Sequence, residues 1–229
     1  MKPKVGVVGL TGCYGCLLSV IFNENEMLDI LNGVDLIAFP FIKGKNVEKF
    51  DIVLVEGTVV QKEDIDVVKQ LRVNSKMLVA LGACSCHGNI PATKSFVPKN
   101  FYQRLLFDKT SNLKSVTPVP IDHHVKVDHY IPGCPPDRFE IMNFLKDALL
   151  GKAIRSWPEP VCYECRLKEN SCLLDQGQMC MGPVTRGNCR AVCPSAGREC
   201  WGCRGPTDDA NMETMIKLFK QKGFSLDDI

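Results

Sequence analysis

Lys4-Val-Gly-Val-Val-Gly-Leu10, followed at once by Thr11-Gly-Cys13-Tyr-Gly-Cys16, is the stretch on which the reading of this chain turns. The first run is short, β-branched and closed by Thr11-Gly12, as a strand buried on both faces should be. The second puts two thiols in a glycine-rich turn at the carboxyl end of that strand, where open α/β sheets place their ligands. Leu17, Val20, Ile21, Leu28 and Leu31 then recur at near-helical spacing up to Asn32-Gly33, which predicts a helix with a C-terminal cap.

Outward from this unit the same alternation repeats. Residues 35–40 and Asp51-Ile-Val-Leu-Val-Glu-Gly57 read as strands, Ile65, Val68 and Leu71 mark a helix, and residues 76–83 form a fourth strand. A short fifth strand is expected over 128–131 and a helix over 137–150 bearing Phe139, Met142, Leu145 and Leu149, while residues 85–127 carry no periodic signal. Strands alternating with helices predict an α/β fold in which a parallel sheet is covered on both faces over residues 1–150. From Gly151 the character changes to a cysteine-rich, irregular segment opened by Trp157-Pro-Glu-Pro160. A smaller second domain is expected over 151–229, ending in an amphipathic helix with Met212, Met215, Ile216 and Phe219 behind Asp208-Asp209.

The chain has 229 residues, 45% apolar and 24% charged, with a net charge of +2. That suits a globular protein and gives no electrostatic grip on nucleic acid or an anionic membrane. Met1-Lys-Pro-Lys-Val5 lacks both a signal h-region and a twin-arginine address, and no run reaches the roughly 18 apolar residues of a spanning helix. A cytoplasmic protein without a membrane span is expected. Thirteen cysteines are then anomalous, because a reducing compartment does not sustain a disulfide framework.

They divide into five scattered positions and eight packed between Cys162 and Cys203. Thr11-Gly-Cys13-Tyr-Gly-Cys16, Gly82-Ala-Cys84 and Gly133-Cys134-Pro-Pro each fall at a predicted strand end, so four thiolates can meet at one sheet edge and Cys86 is left to pack. A thioredoxin-like dithiol at Cys13 and Cys16 is the alternative, and it leaves Cys84 and Cys134 unexplained. The second group, Cys162, Cys165, Cys172, Cys180, Cys189, Cys193, Cys200 and Cys203, supplies the eight ligands that two four-cysteine iron-sulfur clusters need. Structural zinc accepts paired Cys-x-x-Cys ligands as well, and spacing alone leaves the metal open.

At these residues the chain resembles the small subunits of nickel-iron hydrogenases, from Thr11-Gly-Cys-x-Gly-Cys through to Cys203. The resemblance implies a flavodoxin-like N-terminal domain with a proximal 4Fe-4S cluster on Cys13, Cys16, Cys84 and Cys134. It implies a distal 4Fe-4S cluster on Cys162, Cys165, Cys172 and Cys180, with Cys162 standing where membrane-associated members have histidine. It implies a medial 4Fe-4S cluster on Cys189, Cys193, Cys200 and Cys203, with Cys193 standing where those members have proline. These departures resemble the cytoplasmic kinds, namely viologen-reducing hydrogenases and sulfhydrogenase delta subunits. The deazaflavin-reducing gamma subunits are related but often carry a ferredoxin-like extension, and none follows Cys203 here. The implied function is electron relay to a soluble acceptor or partner subunit, with no catalytic residue in this chain. The implied partners are a large subunit holding the nickel-iron site and a further iron-sulfur or flavin subunit. The related quinone-oxidoreductase subunit carries adjacent paired cysteines, which Cys13-Tyr-Gly-Cys16 does not reproduce.

Other residues are ambiguous in sequence. Glu56 matches the family's acidic strand end near the proximal cluster or is a solvated turn carboxylate. His87, His123, His124 and His129 read as surface or hydrogen-bonded side chains. Trp201 reads as a cluster shield or a packing residue, and Arg186, Arg190, Arg198 and Arg204 as counter-charges or part of a docking face.

Overall fold

A computed structural model of the chain describes residues 2–22, 28, 32–40, 49–98 and 115–225. It forms two compact units, Met1–Lys152 and Ala153–Ile229.

The first unit is built on strands β1 (Lys4–Gly9), β2 (Asp35–Ala38), β3 (Phe50–Glu56), β4 (Ser75–Leu81) and β5 (His129–Ile131). They hydrogen-bond in the order β2-β1-β3-β4-β5, every pair parallel, which is the flavodoxin-like order. Alternate residues point to opposite faces, and both sets are buried: Val8, Val53, Val55, Leu78 and Ala80 on one face, Val7, Leu54, Val79 and Leu81 on the other. On the first face they pack with Val68, Ile65 and Leu71 of α2 (Lys62–Val73), and with Ile121, Val116 and Val125. Helix α2 starts at a capping box in which Asp64 accepts the Val60 and Gln61 N–H groups at 3.0 Å each.

Helix α1 (Gly15–Ile21) contacts a later helix, α5 (Arg138–Leu149), and Arg138 donates to Phe22 O at 3.1 Å. Asp137 caps α5 by accepting from Phe139 N–H at 2.9 Å and Glu140 N–H at 3.3 Å. Leu31 and most of the stretch expected to continue α1 lie outside the described residues. The fourth strand is shorter than expected. It ends at Leu81, and Gly82 opens a helix, α3 (Gly82–His87), followed by α4 (Asn89–Ala92) and single turns at Thr93–Phe96 and Ile121–His123. The sequence 82–87 has no apolar period, so tertiary placement rather than local pattern makes it helical.

The second unit holds the short helices α6 (Val161–Leu167) and α7 (Val192–Ser195) and the terminal α8 (Met212–Gln221). Its core gathers Val161, Leu173, Leu174, Val184, Ala191, Met215 and Phe219, so the apolar face of α8 is covered within this unit. The cap of α8 is Asn211, which accepts from Thr214 N–H at 2.9 Å, and not Asp208 or Asp209; Asp208 pairs with Arg186.

Candidate metal centres

Sheet register lines up four strand ends. Gly9 pairs with Glu56, Glu56 with Leu81, and Leu81 with Ile131. Just past this level come Cys13 and then Cys16 in the first turn of α1, Cys84 in the first turn of α3, and Cys134 after Gly133. The turns are tied together: Ala83 N–H donates to Gly133 O at 2.8 Å, Leu10 N–H to Glu56 O at 2.8 Å, and Thr58 N–H to Thr11 O at 2.9 Å. Four thiols therefore collect at one edge. Burial first, then the charge of Glu56 and of the sulfurs of Cys84, Cys13 and Cys134, holds the Cys16 thiol far above its ordinary range. Burial also raises Cys84, against a hydrogen bond from the Asn89 side chain that lowers it.

Two further polar side chains, Asn89 and Glu56, stand beside these thiols. Asn89, at a φ of 39°, points its Nδ2 to Cys134 Sγ at 3.5 Å and Cys84 Sγ at 4.0 Å. Glu56 is 1% exposed, which overturns the solvated reading. Its Oε1 accepts from Tyr14 N–H at 3.3 Å, its Oε2 is buried with no hydrogen-bond partner among the described residues, and burial raises its pKa. Cys86 is separate: it is buried in the sheet core and its thiol donates to Ala80 O at 3.5 Å.

In the second unit, the Cys162 thiol is pushed up to about 12 by burial and then by the nearby sulfurs of Cys180, Cys165, Cys172 and Cys200. Cys200 is raised to about 11 by burial, with Cys180 and Cys203 adding to it, and Cys189 to about 11 by burial, with Glu164 and Cys200 adding to it. Cys193 stands exposed in the first turn of α7. Cys200 N–H donates to Cys180 Sγ at 3.4 Å, and Asn170 Nδ2 to Cys165 Sγ at 3.6 Å. The two groups of four named from sequence thus interlock at Cys180 and Cys200. Trp201 is 83% exposed, so it neither packs in this unit nor shields a thiol from water, and Arg204 is buried with its Nε donating to Gly187 O, so it belongs to no docking face.

Backbone clearance around the sulfurs fits a bulky thiolate-bound group. A Cβ built on Gly82, whose φ is +85°, would sit 2.3 Å from Cys16 Sγ, and one on Gly182 would sit 3.2 Å from Cys162 Sγ and 3.5 Å from Cys180 Sγ. Among the described residues no three Cys, His, Asp or Glu side chains converge closely enough to hold a single metal ion. Tetrahedral zinc asks for sulfurs about 2.3 Å from one centre, whereas in an iron-sulfur cube each thiolate binds a different iron and the ligands stand wider apart. Of the histidines, His87 and His123 are exposed, and His129 stacks on Phe144 at 4.9 Å. No helix among the described residues is long and apolar enough to cross a membrane.

Residues 13–148 match the family described as NADH ubiquinone oxidoreductase, 20 kDa subunit. The chain is 38% identical over 220 residues to sulfhydrogenase 2 subunit delta of Pyrococcus furiosus, covering 95% of this chain and 92% of that one. It is 33% identical over 240 residues to a chain of the F420-non-reducing hydrogenase vhu of Methanocaldococcus jannaschii, covering 91% of this chain and 83% of that one. A chain in the crystal structure of an NAD+-reducing [NiFe]-hydrogenase in the H2-reduced state superposes with a TM-score of 0.61 at 30% identity, covering 68% of this chain and 96% of that one.

Proposed function

This chain belongs to the NADH ubiquinone oxidoreductase 20 kDa subunit family, among the nickel-iron hydrogenase small subunits, and on that premise we propose that it relays electrons through three 4Fe-4S clusters held by twelve of its cysteines. Cys13, Cys16, Cys84 and Cys134 hold the proximal cluster, Cys189, Cys193, Cys200 and Cys203 the medial one, and Cys162, Cys165, Cys172 and Cys180 the distal one. Each cluster, when bound, takes up and gives back one electron, and bond-breaking at hydrogen belongs to the large subunit. This chain's residues fix the sulfurs, exclude side chains at Gly82 and Gly182, and set the charge and hydrogen bonding around the sulfurs. The acceptor is a soluble carrier or a further iron-sulfur or flavin subunit, in keeping with the sulfhydrogenase and F420-non-reducing relatives.

The observation that carries the reading is the aligned strand ends, which deliver Cys13, Cys16, Cys84 and Cys134 to one edge. The metal is tested on the complex purified without oxygen from its host. At least twelve iron and twelve acid-labile sulfide per copy of this chain are expected in the complex, beyond any carried by its partners, with a brown colour bleached by dithionite. Stoichiometric zinc without sulfide, or a chain that purifies without a large subunit, overturns the proposal.

A further inference from the structure

Glu164 lies between Cys162 and Cys165 in α6, yet its carboxylate is spent on another segment. It is buried, Oε2 accepts from Cys189 N–H at 3.2 Å, and Oε1 accepts from Arg190 N–H at 3.1 Å. Oε2 also lies 3.9 Å from Cys189 Sγ. The receiving segment is unusual: Asn188, Arg190 and Ala191 have φ values of 70°, 58° and 45°, none of them glycine. Such conformations cost energy, and they turn successive N–H groups toward one point, forming a concavity that takes an anion. Nests of this kind commonly donate to cluster sulfur. Here the protein's own carboxylate fills the nest.

We propose that Glu164 is a positioning residue that fixes Cys189 by occupying the nest at 189–190, and that its charge sets the potential of the cluster Cys189 holds below the value its thiolates alone would give. The inference rests on the reading of Cys189, Cys193, Cys200 and Cys203 as a cluster site. Two effects act in the same direction. The carboxylate adds negative charge 3.9 Å from a ligand sulfur, and it takes up the Cys189 and Arg190 N–H groups, whose donation to sulfur would favour the reduced, more negative cluster. Glu164 also links a helix carrying two cysteines of one set to the loop carrying one of the other, so the two sets are mechanically joined.

The test is made on the complex purified without oxygen, comparing wild type with Glu164→Gln and Glu164→Asp by iron and sulfide content and by redox titration followed by EPR. Glu164→Gln keeps the side-chain shape and one acceptor oxygen. It is expected to retain the wild-type iron content while the one-electron equilibrium of one cluster shifts by about tenfold toward the reduced form, a rise of about 59 mV. Glu164→Asp keeps the charge and is expected to stay near wild type. Should Glu164→Gln lose iron while Glu164→Asp keeps it, the charge is shown to be needed for placing Cys189, and the proposal stands. Potentials in Glu164→Gln that coincide with wild type overturn it, as does equal loss of iron in both variants. A wild-type protein without iron and sulfide is a failure of the cluster reading itself and is recognised before any variant is made.

Discussion

Gly82 and Asn89 show how single positions around the N-terminal thiols act without being ligands. Gly82 has a φ of +85°, and a Cβ there would lie 2.3 Å from Cys16 Sγ. Gly82→Ala therefore meets two costs: about 1–2 kcal/mol for a side chain in the left-handed region, and displacement of the Cys16 sulfur from its partners. The expected outcome is a folded chain that loses about a third of its iron and sulfide, with the signals of the other two clusters intact. Loss of all iron, or of none, would contradict the assignment of Cys16. Asn89 acts through its amide, which reaches Cys134 Sγ and Cys84 Sγ. N–H donors to sulfur favour the reduced cluster, so Asn89→Gly, which keeps the positive φ accessible, should lower the potential of the proximal cluster alone. A redox titration showing that potential unmoved would remove Asn89 from the tuning set.

Strand β5 is the weakest link between the sheet and the thiol edge, being three residues long and followed by the turn that carries Cys134. It is held laterally by the stack of His129 on Phe144 of α5, and just before it Asp128 pairs with Arg72 while accepting from Leu78 N–H at 2.8 Å. Burial lowers the pKa of His129 below the ordinary 6.5. The folded state thus takes up this proton less readily than the unfolded chain. The stability that neutral His129 contributes is present above pH 6.5 and is lost as pH falls through the lowered value. The urea midpoint of the first unit should drop between pH 7.5 and pH 5.5, and His129→Phe, which preserves the stack, should flatten that part of the profile. An unchanged slope in the variant would assign the acid sensitivity elsewhere.

Elements differ in how plainly their residues announce them. Strands β1, β3 and β4 were legible in the sequence because a parallel sheet covered on both faces demands unbroken apolar runs, and α2 and α5 because their buried stripes recur with helical period. Helix α3 was not, since Gly82-Ala-Cys-Ser-Cys-His has no stripe and owes its shape to tethers such as Ala83 N–H to Gly133 O. Cysteine positions stand out by spacing. Asn89, Glu164 and the burial of Glu56 and Arg204 do not, because a single polar residue outside any spaced pattern looks the same whether it meets water or the protein interior.

Between the two units the source of stability differs, and that difference is testable. In Met1–Lys152 a five-stranded sheet buries apolar side chains on both faces, and residues such as Val53, Leu78, Val79 and Leu81 are 0% exposed. Such a core supplies stability of its own at roughly 25 cal/mol per Å² of apolar surface buried. In Ala153–Ile229 the helices are short, and the core cluster includes Cys180 and Cys200. A unit that small reaches a stable fold through cross-links, and its thiols, raised by burial to about 11 at Cys189 and Cys200 and about 12 at Cys162, stay protonated at neutral pH until a metal displaces the protons. Stripping the iron anaerobically with a chelator and dithionite, then following amide hydrogen exchange, should separate the two. Amides of β1, β3 and β4 are expected to keep most of their protection, while those of residues 161–221 lose it as a block and regain it when iron and sulfide are restored. Uniform loss across both units would mean that the sheet depends on its own cluster as heavily as the second unit does. Undiminished protection over 161–221 would mean that Val161, Leu173, Leu174, Met215 and Phe219 suffice to hold that unit, and its cysteines would then be free to serve some purpose other than stapling it.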